Sequence, residues 1–309
     1  MTKNFRKAYY SSLGVQVVEV KPSLENALQG DVLDLERLNK LCLWVRIPHF
    51  YRQIVWKLLL GVVPLEKETW TFVDEQRVAQ FEALKAAALV VHRTRGPSTA
   101  DLTANTMCQM LAIHLDAGWA DPAHMSEALE NMLPVAQVLL EICDTSEVDA
   151  YWIFEFFVRT YNPGVEVVSR GREQIRIHIE TASLKTLLKA HSPTLAAHVQ
   201  TLRVDLDVAC GSWFRTCFAN VLPSHSLEGI WDILIGGAPL ILTYLGLSLL
   251  LASRRKLEGA RTAADFLSVI ANIGRFVDVD AVASTAIDLW EKPVLDSMTK
   301  ETRRLLGYA

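Results

Sequence analysis

Three tryptophans framed by arginine, proline and aspartate are the residues here whose types and spacing could build a site. Arg52-x-x-x-Trp56 puts a guanidinium and an indole on one helix face, followed by Leu58-Leu59-Leu60-Gly61. Far downstream come Trp213-Phe214, Cys217-Phe218, Leu222-Pro223 and then Ile230-Trp231-Asp232. As physics this is aromatic core packing, in which Arg52 and Asp232 would satisfy one another's charge. The patterns that carry covalent or phosphate chemistry are absent. There is no Gly-x-x-x-x-Gly-Lys loop, no Gly-x-Gly-x-x-Gly after a strand, no His-Glu-x-x-His and no Gly-x-Ser-x-Gly. The eight histidines are scattered. His191 and His198 are parted by Pro193, and no carboxylate falls at ligand spacing, so neither a metal nor a cofactor is expected. Asp205 and Asp207, like Asp278 and Asp280, lack the glycine turn of a calcium loop and read as solvated loop carboxylates.

The elements that must position these residues read as helix after helix. Leu24, Leu28, Leu35 and Leu38 recur at mostly helical spacing, with Ser23 as N-cap. Tyr51 to Gly61 is a second helix, opened by Ile47-Pro48 and stopped by Gly61 and Pro64. Glu75 to Val91 follows, with Val78, Phe81, Leu84, Ala88 and Val91 on one stripe. A turn-rich stretch, His92 to Thr106, precedes helices at Met107 to Asp116 and Ser126 to Cys143, where Pro134 should kink the second or mark its start. Asp149 to Tyr161 is apolar, aromatic and helical. Ile175, Ile177 and Ile179 alternate with polar residues at the period of a strand, but no second period-2 run exists to pair with, so a helix is expected there too. Further helices are predicted at Ser183 to Ala190, Thr194 to Leu202, Ser212 to Ala219, Ser226 to Leu234, Leu240 to Lys256, Thr262 to Ile270 and Val279 to Trp290. No fixed-period repeat indicates a solenoid.

Composition narrows the class. Half of the 309 residues are apolar and 21% are charged, enough for a sizeable core. A net charge of −4 gives no electrostatic case for nucleic acid. Five spread cysteines without a Cys-x-x-Cys pair read as reduced thiols of a cytosolic protein. Met1 to Tyr10 is basic without an apolar h-region, and Thr2 does not fit myristoylation. The uncharged run Ile233 to Ala252 is interrupted by Gly236, Gly237 and Pro239, so the helical part is too short to cross a bilayer and reads as a buried central helix.

The tryptophan landmarks resemble the TBC domain, the Rab GTPase-activating fold. The helix from Tyr51 to Gly61 is similar to its first motif, and the Trp-Phe, Leu-Pro and Trp-Asp pairs are similar to its C-terminal half, in the same order. The resemblance implies a single all-α TBC-type domain with two helical subdomains, drawn at residues 26–290 between an N-terminal segment 1–25 and a tail 291–309. Active members use an arginine in Ile-x-x-Asp-x-x-Arg-Thr and a glutamine in Tyr-x-Gln-Gly-Met, and an arginine finger is worth roughly 10³ to 10⁵ in rate. The nearest candidates are Arg93, Arg95 and Gln109. Aligning Arg93 puts Ala87 and Val90 where Ile and Asp belong; aligning Arg95 puts Leu89 and His92 there. Neither register restores the acid, and Gln109 lacks the flanking tyrosine and glycine.

Asn4-Phe5-Arg6, Tyr9-Tyr10, Tyr151-Trp152-Ile153 and Ala286-Ile287-Asp288-Leu289-Trp290 are similar to the branch of the family that stabilises the tuberous sclerosis complex. That likeness implies a scaffold gripping a hamartin-like coiled coil, with a tuberin-like subunit supplying GTPase activation toward Rheb and so restraining mTOR signalling. It implies a cytoplasmic protein recruited to lysosomal or vesicle membranes through partners. The alternative is direct action on a Rab GTPase through Arg93 or Arg95. The expected partner groove has Phe81, Leu84 and Ala88 on one wall and Met107, Met110 and Leu111 on the other.

Overall fold

A computed structural model describes residues 20–91, 101–115, 122–161 and 170–291, with side chains for all of these except 122–130 and 170–175. The described residues form fifteen α-helices and no strand. The first seven are α1 (Val20–Ala27), α2 (Leu35–Trp44), α3 (His49–Leu60), α4 (Trp70–Val91), α5 (Ala104–His114), α6 (Pro122–Ile142) and α7 (Glu147–Tyr161). The second group is α8 (Arg170–His191), α9 (Pro193–Thr201), α10 (Leu206–Arg215), α11 (Ser224–Ile235), α12 (Ile241–Ala252), α13 (Arg254–Glu258), α14 (Ala263–Ala271) and α15 (Val279–Glu291). The alternating isoleucines lie inside α8, where Ile177 is buried and Ile179 faces out.

Local chemistry sets the ends of these helices. Asp34 caps α2 by accepting from the Arg37 amide, Thr103 caps α5 through Thr106, and Thr262 with Asp265 forms a reciprocal capping box on α14. Gly61 stops α3 in the left-handed region at φ +80°, where a side chain would be strained. One expectation about the ends fails. The Leu24–Leu38 periodicity is broken into α1 and α2 because Asp34 starts a new helix, so Ser23 lies inside α1 and not at its N-cap. Pro134 does not mark the start of α6, which runs through it, so of the two readings only a proline inside the helix stands.

The core is built around α12. Every residue from Ile241 to Leu250 is buried, and α12 packs against α8, α11 and α15. Each fully buried leucine there contributes about 1.5–3 kcal/mol of apolar transfer. Among the described residues no helix is long and apolar enough to cross a membrane. Helix α11 joins the two groups, touching α2, α3 and α6 on one side and α12 and α15 on the other. Its end approaches α2 through Gly236, where an added Cβ would sit 2.8 Å from the Cys42 Cβ. All five cysteines are unpaired and buried, and burial pushes the thiols of Cys108, Cys143 and Cys217 up to about 12.

Candidate functional site

Arg52 on α3 and Asp232 on α11 meet in the core, each about 1% exposed. Asp232 Oδ1 accepts from Arg52 Nε at 3.1 Å and from the Trp56 indole at 2.9 Å. Its Oδ2 accepts from Arg52 Nη2 at 3.4 Å and from the Ile47 amide at 3.3 Å. Arg52 Nη2 also donates to the Ile47 carbonyl at 2.7 Å. Its Nη1 lies 2.9 Å from Glu228 Oε2, at an angle that makes the contact electrostatic instead of a hydrogen bond. Burial pushes the Asp232 carboxyl up to about 6, against the pull of the Arg52 charge and the surrounding donors, so the group is ionised at neutral pH. Trp56 and Trp231 pack at 6.3 Å, and Phe157 adds a ring 4.6 Å from Trp231. This node ties α3 to α11. Glu228 is the member that sequence reasoning did not name.

The Trp213–Pro223 landmark holds a turn. Cys217 and Phe218, at φ 47° and 68°, are two consecutive non-glycine residues in the left-handed region. The Phe218 amide donates to the Trp213 carbonyl at 2.7 Å, and the Trp231 indole donates to the Cys217 carbonyl at 3.1 Å. The rings of Trp213 and Phe214 pack on Phe218. Leu222 is buried and Pro223 opens α11 as its N-cap. The aromatics therefore hold a strained corner that aims α11, and with it Asp232, at Arg52.

The face formed by α4, α5 and α7 receives the other predicted residues. Phe81, Ala88, Met107, Met110 and Leu111 are buried, with Leu84 half-buried beside them. They close the packed seam between α4 and α5, so the expected open groove is corrected: these side chains meet one another and the core. Of the α4 stripe, Val78 and Val91 instead face solvent. The outer surface of α4 exposes Phe72, Ala79, Ala83, Ala86 and Val90, at steps of seven, four, three and four residues. Gln109 is half-buried on α5. Arg93 and Arg95 lie outside the described residues.

Two polar clusters beside this face were not anticipated. Glu147 on α7 accepts from Lys85 Nζ at 2.8 Å and from the Leu102 amide at 2.7 Å, clasping the end of α4 to the segment entering α5. Burial would raise its carboxyl, but these two donors and the Lys85 charge hold it below the usual range. Glu155, almost fully buried, takes His114 Nδ1 at 3.1 Å and Arg159 at 2.7 Å, while the Arg77 guanidinium lies 4.2 Å over the Trp152 ring. A lone acid within the apolar run Tyr151–Val158 was the signal that could have disclosed the second cluster. Asp207 also departs from expectation. It accepts from Thr181, His178 and Lys185, tying α8 to α10 instead of lying solvated in a loop. Asp205 caps α10, and Asp280 accepts from Ser226. Among the described residues no three histidine, cysteine or acidic side chains converge as a metal site would require.

The Arg–Asp–Trp node and the aromatic corner thus knit the described helices into one all-α domain. The family model of the Rab-GTPase-TBC domain matches residues 129–258, which include Trp213, Phe214, Trp231 and Asp232. The chain belongs to the TBC domain family. It is 32% identical over 298 residues to TBC1 domain family member 7 of Bos taurus, covering 94% of this chain and 95% of the relative. To TBC1 domain family member 7 of Homo sapiens it is 31% identical with the same coverage, and to that of Xenopus tropicalis 29% over 294 residues. Among solved structures, the Chlamydomonas flagellar RabGAP TBC domain superposes with a TM-score of 0.58 at 18% identity, covering 92% of this chain and 96% of that one. The Ypt/Rab-GAP domain of Gyp1p also gives 0.58, at 14% identity, with 88% and 98% covered.

Proposed function

We propose that this chain is a non-catalytic scaffold subunit of a hamartin–tuberin-like complex that restrains Rheb and mTOR signalling. The observation that carries the non-catalytic half is Val90. In the register that makes Arg93 the finger, Val90 stands where an acid must hold the arginine, and it is an apolar side chain 77% exposed. The nearby acid Glu147 is spent on Lys85 and the Leu102 amide. Phosphoryl-transfer catalysts contribute mostly positioning, so an arginine without its anchor loses most of its worth.

The scaffold half is supported by the outer face of α4. Phe72, Ala79, Ala83, Ala86 and Val90 repeat at the three- and four-residue steps of a coiled-coil seam, with alanines that let a second helix come close. The occupant in this reading is a coiled-coil helix of a hamartin-like partner, while a tuberin-like subunit supplies the activity. Recruitment to lysosomal or vesicle membranes then follows the partners.

The test is a pair of assays. Purified chain is added to a panel of GTP-loaded Rab proteins, beside a variant with Arg93→Ala and Arg95→Ala; no stimulation by either is expected. Stimulation lost in the variant would replace the scaffold with an active Rab GTPase-activating protein. In parallel, a hamartin-like coiled coil is expected to capture the wild-type chain and to capture Phe72→Ser with Val90→Ser at least tenfold less well, an effect of about 1.4 kcal/mol or more. Equal capture of both would remove α4 as the seat.

A further inference from the structure

A positively charged hollow lies on the opposite group of helices, away from α4. Its volume is about 440 Å³, and it is lined by Leu251, Ser253, Arg254, Arg255, Lys256 and Phe276. The cations are not equivalent. Arg254 is spent, its Nε 2.8 Å from Glu258 and its Nη2 on Thr194. Arg255 and Lys256 are exposed and have no carboxylate within 4.0 Å among the described residues, and the same holds for Arg275 next to Phe276. Glu258 is the acid on the same helix, and Arg254 and Thr194 already occupy it. The Lys256 ammonium stands 3.5 Å from the centroid of the Phe276 ring, and that ring remains 46% exposed. Ser253 is 3% exposed, and its hydroxyl has no hydrogen-bond partner among the described residues, which leaves an uncommitted donor in the wall.

We propose that this hollow is a direct contact site for an anionic membrane surface, with Arg255 and Lys256 at the lipid headgroups and Phe276 entering the interface. Two cations at one rim without a carboxylate partner among the described residues, on a chain of net charge −4, make a local field that the whole molecule does not have. An exposed aromatic beside them favours a bilayer over a soluble anion, since a phosphate ion gains nothing from a phenyl ring while the interfacial layer receives it. The contact goes beyond the scaffold reading, because it needs no partner and places a lipid-facing surface on the subunit itself.

The test is flotation of the full chain with vesicles of phosphatidylcholine alone and of phosphatidylcholine with about one-third phosphatidylserine, at low and physiological salt. The chain is expected to float only with the anionic vesicles and to be released by salt. Each cation near such a surface is worth about fivefold in partition, so Arg255→Ala with Lys256→Ala should lower binding roughly 25-fold. Phe276→Ser should weaken binding while leaving its salt dependence. Lys21→Ala with Lys40→Ala, exposed cations on α1 and α2, should leave it unchanged. Absence of flotation at low salt, equal loss in both lysine-containing pairs, or full binding by Arg255→Ala with Lys256→Ala would each overturn the proposal. So would saturable binding of inorganic phosphate without vesicle binding, which would assign the hollow to a soluble anion. Because vesicles contain no protein partner, failure here leaves the coiled-coil capture result standing, and the reverse.

Discussion

Around Asp232 both carboxylate oxygens have donors within 3.4 Å and the neighbouring rings are buried, whereas along the outer face of α4 phenylalanine, alanine and valine meet water. Both regions belong to the same family fold, and they are constrained in opposite ways. The node tolerates little, because removing one partner strands a buried charge. The α4 face tolerates much, because among the described residues nothing packs against it. A fold can therefore persist on its node while its exposed helix faces stay free to vary.

The comparison would break first at Asp232. Asp232→Ala should cost about 3–5 kcal/mol, read as a lower denaturation midpoint, because Arg52 is left buried beside Glu228 alone. Replacing the pair with Arg52→Met and Asp232→Leu should recover part of that loss, and no recovery would show that the node acts through more than charge. Gly236→Ala should cost about 1–3 kcal/mol, since its Cβ meets the Cys42 Cβ at 2.8 Å and the Asp232 carbonyl at 3.1 Å.

Two glutamates sharpen the contrast through pH. Burial raises Glu180 on α8 from 4.5 to about 7, so the folded state holds a proton that the unfolded state has lost. Stability should then fall as pH rises from 4.5 to 7, and Glu180→Gln should flatten that fall, an effect on the order of 1 kcal/mol. Glu147 is held below 4.5, so its contribution is present above that value and should be lost as pH falls beneath it. Glu147→Gln should remove that acid-side loss, as seen in urea midpoints across the same range. The smallest effect is expected on the α4 face, where Phe72→Ser with Val90→Ser should shift stability by less than about 0.5 kcal/mol per site. A larger shift would mean that α4 packs its outer face against this chain after all.

Much of the fold was legible because its signals are local or chemically unusual. Gly61 stops α3, Pro223 opens α11, and charged residues beside buried tryptophans announce the node before any coordinates. Helix α8 was legible by exclusion, since a lone alternating run has no strand to pair with. What could not be read depends on direction and on distant partners. The Phe81–Ala88 stripe is apolar whether it faces a groove or the core, and only the packing of α5 against it decides that it is core. Asp207 looks like any surface acid until α8 brings Thr181, His178 and Lys185 to it. The Glu147 clasp joins residues 45 and 62 positions apart, and no sequence period connects them.

The node also has a history in time. Arg52 and Asp232 are separated by 180 positions along the chain. At roughly 5–20 residues per second, a ribosome needs on the order of 10–40 s to deliver the aspartate after the arginine. Through that interval α3 carries a cation destined for the interior with no counter-ion yet made. Helices α1 to α7 are without that counter-ion until α11 emerges to supply it. A chain truncated before α11 should for that reason be a client of the quality-control machinery and not a smaller folded domain.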